Sequence, residues 1–347
     1  MSNLMFFDST LRDGSHAVKH SISKNSIIDY CQAMDSAGMH SIIVGHGNGL
    51  GASSLQVGLS KLSDSEMLTT ARKNLEKTKL GAFLIPGFGT IRDNIKPAIE
   101  NGVDLFCIAA HCTEADVTRQ HIEYLRNQGK DVYGILMMYH RASTEKILEE
   151  ALKLQSYGAM GVTIMDSAGA STPEMVKRTI NTLYNGLDVK VGFHGHNNLS
   201  LAVSNTYTAI KEGASIVDGT LRGFGAGAGN CQLEALVALL KMNDIDTNLD
   251  LYRMLDTSES IVRNMMEKDM GLTDLSIISG MSGVFSSFST HVKKAAEKFQ
   301  VDPRDIFLEL GKQKAVGGQE DMIVGIAEKL SKSVNCDDIT YQLESLL

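Results

Sequence analysis

Eight short apolar runs recur along the first two thirds of the chain, at residues 4–7, 41–44, 80–85, 105–109, 132–138, 161–165, 189–193 and 215–217. Each is followed by a stretch whose apolar residues fall at helical spacing. The runs themselves are continuously apolar, as strands buried on both faces must be, and strands separated by helices run parallel. Helix-start signals agree: Ser23 precedes Ile27 and Ile28, Thr144 precedes Ile147 and Leu148, and Thr172-Pro173 precedes Met175 and Val176. Gly38, Gly102, Gly129, Gly158 and Gly213 each stand just before a run, where a helix ends.

The eight units end near Met242 and predict an α/β fold, a (β/α)8 TIM barrel. A doubly wound open sheet is the alternative, but no glycine-rich dinucleotide fingerprint follows the first run. Beyond Asn243 the strand pattern stops, and residues 251–267, 286–299 and 325–333 read as amphipathic helices. A barrel alone takes ~250 residues. The 347-residue chain is therefore expected to divide into a catalytic barrel at 1–245 and a helical C-terminal domain at 246–347.

Composition narrows the function classes. A net charge of −8 with interspersed acids and bases gives no basic stripe for nucleic acid. No apolar stretch is long enough for a membrane span or a signal peptide, so a cytoplasmic location is expected. The five cysteines, Cys31, Cys107, Cys112, Cys231 and Cys336, form no CxxC pair and read as reduced core or pocket residues.

Polar residues gather just after the runs, where a barrel places its active site. The first run leads into Asp8-Ser9-Thr10-Leu11-Arg12-Asp13-Gly14-Ser15-His16, and the seventh ends in His194-Gly195-His196-Asn197-Asn198. Residues two apart on a strand share a side, so His194 and His196 can offer two imidazoles to one ion. Strand 8 alone separates strands 1 and 7 in a closed barrel, so Asp13 can supply a third ligand. Such a set with open positions suits Mn²⁺, Mg²⁺ or Zn²⁺ acting as a Lewis acid. Arg12 fits a substrate carboxylate or enolate, and His16 can take a proton near neutral pH. Ser167, after the sixth run, can hydrogen-bond a carboxylate or simply start a helix. Residues 223–230, GFGAGAGN, let backbone approach a ligand but lack the lysine of a phosphate loop. Cys112 reads as an inert pocket thiol.

At these residues the sequence resembles the family of aldolases and Claisen-type condensing enzymes that share a TLRDG start and an HxH strand. TLRDGSHAVKH, HCTEADVTRQHIEY, HNNLSLAV, GAGAGN and VGGQEDMIV carry the resemblance from the first strand to the C-terminal region. Condensing enzymes usually have glutamine where this chain has His16, and the histidine is similar to the class II pyruvate aldolase branch. The resemblance implies cleavage of a 4-hydroxy-2-oxoacid to pyruvate and an aldehyde. In it Asp13, His194 and His196 hold the metal, Mn²⁺ first with Mg²⁺, Co²⁺ or Zn²⁺ as alternatives. It further implies that Arg12 steadies the enolate, that His16 is the base toward the C4 hydroxyl, and that Ser167 contacts the carboxylate. An oligomer is also implied, with an acylating aldehyde dehydrogenase docked on residues 270–347. Two positions depart from the family pattern. Phe285 replaces a tyrosine at the aldehyde site, with Tyr139 as a substitute hydroxyl, and Ile43 replaces a glutamate near the barrel mouth. An acetyl-CoA-dependent condensing enzyme and a non-catalytic partner subunit are the competing readings.

Overall fold

The computed structural model describes the backbone of residues 4–344 and the side chains of residues 4–332. Eight parallel strands close in sequence order: β1 (Met5–Asp8), β2 (Ser41–Ile43), β3 (Lys79–Leu84), β4 (Leu105–His111), β5 (Asp131–Met137), β6 (Gly161–Asp166), β7 (Lys190–Gly195) and β8 (Ile216–Gly219). Pairing of β1 with β8 shuts the barrel, so the open-sheet alternative is excluded. Outside lie α1 (Lys24–Ser36), α2 (Asp64–Arg72), α3 (Lys96–Glu100), α4 (Arg119–Asn127), α5 (Thr144–Ser156), α6 (Pro173–Gly186), α7 (Ala202–Lys211) and α8 (Leu233–Met242).

Strand alternation sorts the core into two layers. Phe6, Ile42, Leu80, Phe106, Ile164 and Phe193 face outward and pack under the helices in one large cluster. Met5, Phe7, Ile43, Phe83, Tyr133 and Met165 face inward and fill the lumen. A barrel interior packed in this way leaves chemistry to the strand ends.

The helix caps follow the sequence with one shift. Ser23 and Thr172 cap α1 and α6, whereas α5 is capped by Ser143, because Thr144 already has helical geometry as the first residue of the helix. Four of the cysteines, Cys31, Cys107, Cys112 and Cys231, are buried and free; the side chain of Cys336 lies outside the described residues.

After the barrel, the helix Leu251–Thr257 runs through a π turn, Ser258–Val262, into Arg263–Met265. It packs on α1, and Met254, Val262 and Met266 join the barrel's large cluster. Helices Asp274–Ser282, Ser289–Phe299, Pro303–Lys312 and Asp321–Glu344 surround a separate apolar cluster that includes Leu275, Phe288, Val292, Phe307 and Ile323. The Asp274–Ser282 helix has no single apolar face in its sequence because it is covered on two sides. Leu275 points into the C-terminal cluster, while Gly280 lies against Asn198, Leu199 and the Gly169 carbonyl of the barrel. Pro303–Lys312 had a readable start, since Asp302 caps it and Pro303 opens it, but at 10 residues it carries a short periodic signal.

The β5 end ties this region down. Arg141 donates to the carbonyls of Ser282 and Gly311, both at 3.4 Å, and to that of Gly283, and His140 Nε2 donates to the Gly283 carbonyl at 3.2 Å. Among the described residues no helix is long and apolar enough to cross a membrane.

Candidate metal centre and active site

The turn after β1 is built by Asp8. Its side chain points out of the lumen, accepting from Thr10 N (2.9 Å), Thr10 Oγ1 (2.5 Å) and Tyr30 Oη of α1 (2.6 Å). Thr10 Oγ1 in turn accepts from Leu221 N beyond β8 (2.9 Å), and Asp13 N donates to Ser9 O (2.7 Å). These bonds fold the TLRDG segment back over the barrel end and bring Asp13 inward.

On β7, Phe193 faces out, so His194 and His196 face in. Asp13, His194 and His196 are all buried, and one ligating atom from each lies within 4.8 Å of the other two. The two Nε2 atoms stand 3.3 Å apart. Two donors at right angles, each ~2.1 Å from a common ion, stand about 3 Å apart, so the set fits a divalent cation. Nitrogen and carboxylate donors without sulfur match a hard or borderline ion.

Asp13 is held on both oxygens. Oδ1 accepts from Arg12 Nη1 (2.9 Å), and Oδ2 accepts from Asn230 Nδ2 (2.5 Å) and Ala226 N (3.3 Å). Burial alone raises its pKa, but Arg12, His196, His16 and His194 outweigh it and hold the carboxyl well below the usual range, so the ligand is anionic. Burial pushes His196 down to about 4 against the pull of Asp13, which leaves a neutral imidazole with a free lone pair. The glycine-rich loop's small residues serve this site: a Cβ on Gly225 would stand 2.4 Å from both Asp13 Oδ2 and Asn230 Nδ2. The loop thus approaches the Asp13 carboxylate.

Arg12 lies with its guanidinium 4.6 Å above the Phe83 ring and also donates to Gly47 O (3.2 Å) and Ser9 Oγ (3.3 Å). His16 is half-buried, its ring against Gly47, where a Cβ would come within 2.4 Å of Nε2. Burial, then Arg12, His46 and His196, lower its pKa to about 4 although Asp13 opposes them. The ring is therefore an unprotonated acceptor at neutral pH. Ser167 is buried at the end of β6, and its Oγ accepts from Met138 N (3.3 Å), leaving the hydroxyl proton free to donate.

The structure thus gathers Arg12, Asp13, His16, His194 and His196. Phe285 comes from the C-terminal region, half-buried at its cluster, stacked on Phe288 at 6.3 Å, with its edge over Gly317. Its neighbour Ser286 reaches the barrel, donating to Asn198 Oδ1 (3.1 Å), two residues after His196. Tyr139 belongs to the outer layer, T-shaped on Phe193 at 6.3 Å, so it faces away from the lumen. Ile43 is the last residue of β2, at the C-terminal end of the barrel, with its side chain among the lumen residues. Sequence reasoning missed Asn230, which closes the GAGAGN motif and grips Asp13, with its own Oδ1 buried and unpartnered. It also missed His20 and His46, stacked at 3.6 Å beside His16. The second histidine of SHAVKH was a signal for His20.

Residues 3–261 match a family model described as HMGL-like, and residues 270–332 match a DmpG-like communication domain. The 4-hydroxy-2-oxovalerate aldolase of Pectobacterium atrosepticum is 52% identical over 95% of this chain and 96% of its own length. That of Spirochaeta aurantia is 49% identical over 94% and 96%. Among solved structures, the N-terminal domain of a putative aldolase from Bacteroides vulgatus superposes with a TM-score of 0.71 at 23% identity, covering 82% of this chain and 94% of that one. The carboxyl transferase domain of Rhizobium etli pyruvate carboxylase gives 0.81 at 16% identity over 96% and 61%. These two likenesses show the barrel fold alone, whereas the family matches and the near-full-length identities go further: the chain belongs to the HMGL-like family and, within it, to the 4-hydroxy-2-oxovalerate aldolases.

Proposed function

We propose that this chain cleaves a 4-hydroxy-2-oxoacid of the 4-hydroxy-2-oxopentanoate type to pyruvate and an aldehyde, and runs the aldol addition in reverse. The observation that carries the reading is the meeting of three metal-type ligands with one guanidinium and one neutral imidazole at the C-terminal end of the barrel. Asp13, His194 and His196 hold a divalent ion, Mn²⁺ first and Mg²⁺, Co²⁺ or Zn²⁺ as alternatives, which supplies Lewis acidity at the 2-oxoacid end. Arg12 binds the same end as a fixed cation, positioned by Phe83, Gly47 and Ser9. Ser167 donates its hydroxyl proton to the carboxylate.

His16 removes the proton of the C4 hydroxyl. The C4 oxygen then becomes the aldehyde carbonyl, the C3–C4 bond breaks, and its electron pair passes to the pyruvate enolate, whose negative charge Arg12 balances. Protonation at C3 completes pyruvate. An acetyl-CoA-dependent condensation has no separate observation in its favour. Proton exchange distinguishes the two: the aldolase exchanges the C3 protons of pyruvate without acetyl-CoA, whereas a condensing enzyme exchanges the methyl protons of acetyl-CoA, and exchange confined to acetyl-CoA sinks the aldolase reading.

Residues 1–245 are proposed as the catalytic unit and 246–347 as a docking domain for an acylating aldehyde dehydrogenase, which consumes the aldehyde where it forms. The communication-domain match at 270–332 supports this partner. A cytoplasmic oligomer completes the proposal.

Phe285 is proposed to border the aldehyde end, carried toward the His196 strand end by the Ser286–Asn198 bond. A net hydrogen bond is worth ~0.5–1.5 kcal/mol, which biases two orientations of the C4 oxygen by up to about tenfold. Phenylalanine lacks that handle. Phe285→Tyr is therefore expected to raise the enantiomeric ratio of the aldol product severalfold, read by chiral chromatography. An unchanged ratio places stereocontrol elsewhere.

A further inference from the structure

His194 and Asp218 are register partners on β7 and β8, and alternation turns both side chains into the lumen. His194 Nδ1 stands 3.1 Å from Asp218 Oδ1, with side-chain exposures of 0% and 5%. The opposite nitrogen, Nε2, faces His196 Nε2 at 3.3 Å. We propose that Asp218 is a positioning residue for the metal centre, accepting the Nδ1 proton of His194 so that Nε2 is always the lone-pair atom presented to the ion.

The argument is one of proton placement. A neutral imidazole carries its single proton on either nitrogen, and a histidine that ligates through Nε2 must carry it on Nδ1. In a buried site an Nδ1–H without an acceptor is costly, and a carboxylate is the strongest acceptor a side chain provides. Asp218 fixes the tautomer, prevents the ring from turning over, and makes the ligating nitrogen more basic. Asp218 is outside the cluster of ligating atoms formed by Asp13, His194 and His196, so it braces a ligand without being one. The Nδ1 atoms of both histidines are buried without a hydrogen bond of good geometry, but only that of His194 has a carboxylate oxygen within ion-pair distance, Asp218 Oδ1 at 3.1 Å. One imidazole faces a carboxylate across the β7–β8 register, and the other has no carboxylate beside its Nδ1.

This inference rests on the metal-binding reading of Asp13, His194 and His196, and one experiment separates the two. Mn²⁺ affinity is measured by competition with a chromophoric chelator for the full-length wild type, Asp218→Asn and Asp218→Ala, with thermal melts to confirm folding. Loss of an outer partner of a metal-bound histidine costs 10–100-fold in affinity. About that loss is expected for Asp218→Ala, and a smaller one of at least threefold for Asp218→Asn, whose amide oxygen still accepts but lacks the charge. A merely structural role would not move the ring tautomer. In ¹⁵N-histidine spectra of the metal-free protein, His194 is expected to be the Nδ1–H form in wild type and a mixture in Asp218→Ala. If Asp218→Ala does not fold, Asp218→Asn carries both measurements. Wild-type Mn²⁺ affinity and an unchanged tautomer in a folded Asp218 variant overturn the proposal and leave the metal centre standing. A wild type that binds no divalent ion overturns the metal centre itself.

Discussion

Replacing His196 with alanine is expected to abolish both tight divalent-ion binding and turnover. The three ligating groups come from two separate places, Asp13 from the turn after β1 and the two histidines from the end of β7 and the residue that follows it. Removing His196 leaves one imidazole and one carboxylate, and that carboxylate is already engaged by Arg12, Asn230 and Ala226. Lewis-acid stabilisation is worth several kcal/mol, and each 1.4 kcal/mol is tenfold in rate, so a loss of ~10³-fold or more in kcat is expected. Metal content after gel filtration and initial rates of pyruvate release check the two halves separately. A His196→Ala protein that is metal-free yet turns over at the wild-type rate sinks the metal-centred account. A melting temperature close to wild type confines the loss to the site.

His16→Ala should separate proton transfer from metal binding. Positioned general acid–base groups contribute ~10²–10⁴-fold, and kcat for cleavage should fall by that much while Mn²⁺ affinity stays within a few-fold of wild type. His16 is no ligand, and its ring rests against Gly47 on the rim of the site. The pH profile supplies an independent check. Burial, with Arg12, His46 and His196, lowers the His16 pKa to about 4, so the base form persists far below the ordinary imidazole range. Wild-type kcat/KM is therefore expected to stay flat as pH falls from 8 to about 5 and to drop only as pH passes through about 4, where His16 takes up a proton. A fall centred on the unperturbed value of ~6.5 shows that the base titrates in a solvated setting and contradicts this placement of His16.

The barrel was legible because parallel strands buried on both faces advertise themselves as uninterrupted apolar runs. Their ends were less so: β8 extends to Gly219, two residues past its apolar run, because Asp218 is polar yet buried beside His194. The same polarity hid Asp218 as a site residue, since its role comes from register between neighbouring strands and not from spacing along one. His194 and His196 were readable from period two alone, and Asp13 from its place after β1. Asn230 was not, because its bond to Asp13 spans 217 positions of sequence. In the C-terminal region the Asp274–Ser282 helix escaped periodicity because it is packed on both the barrel and its own cluster. Phe285 was singled out by resemblance, and its lodging among Phe288 and Gly317 depends on helices that sequence alone did not arrange.

The most direct test of the central claim is the product balance of a single reaction. Purified protein is stripped of metal, reloaded with Mn²⁺, and given racemic 4-hydroxy-2-oxopentanoate, while pyruvate and acetaldehyde are quantified together as the substrate disappears. The account predicts equal molar amounts of both products, formation that stops on chelation, and recovery when Mn²⁺ is restored. Substrate consumption without pyruvate, or cleavage at an undiminished rate in the metal-stripped protein, contradicts it.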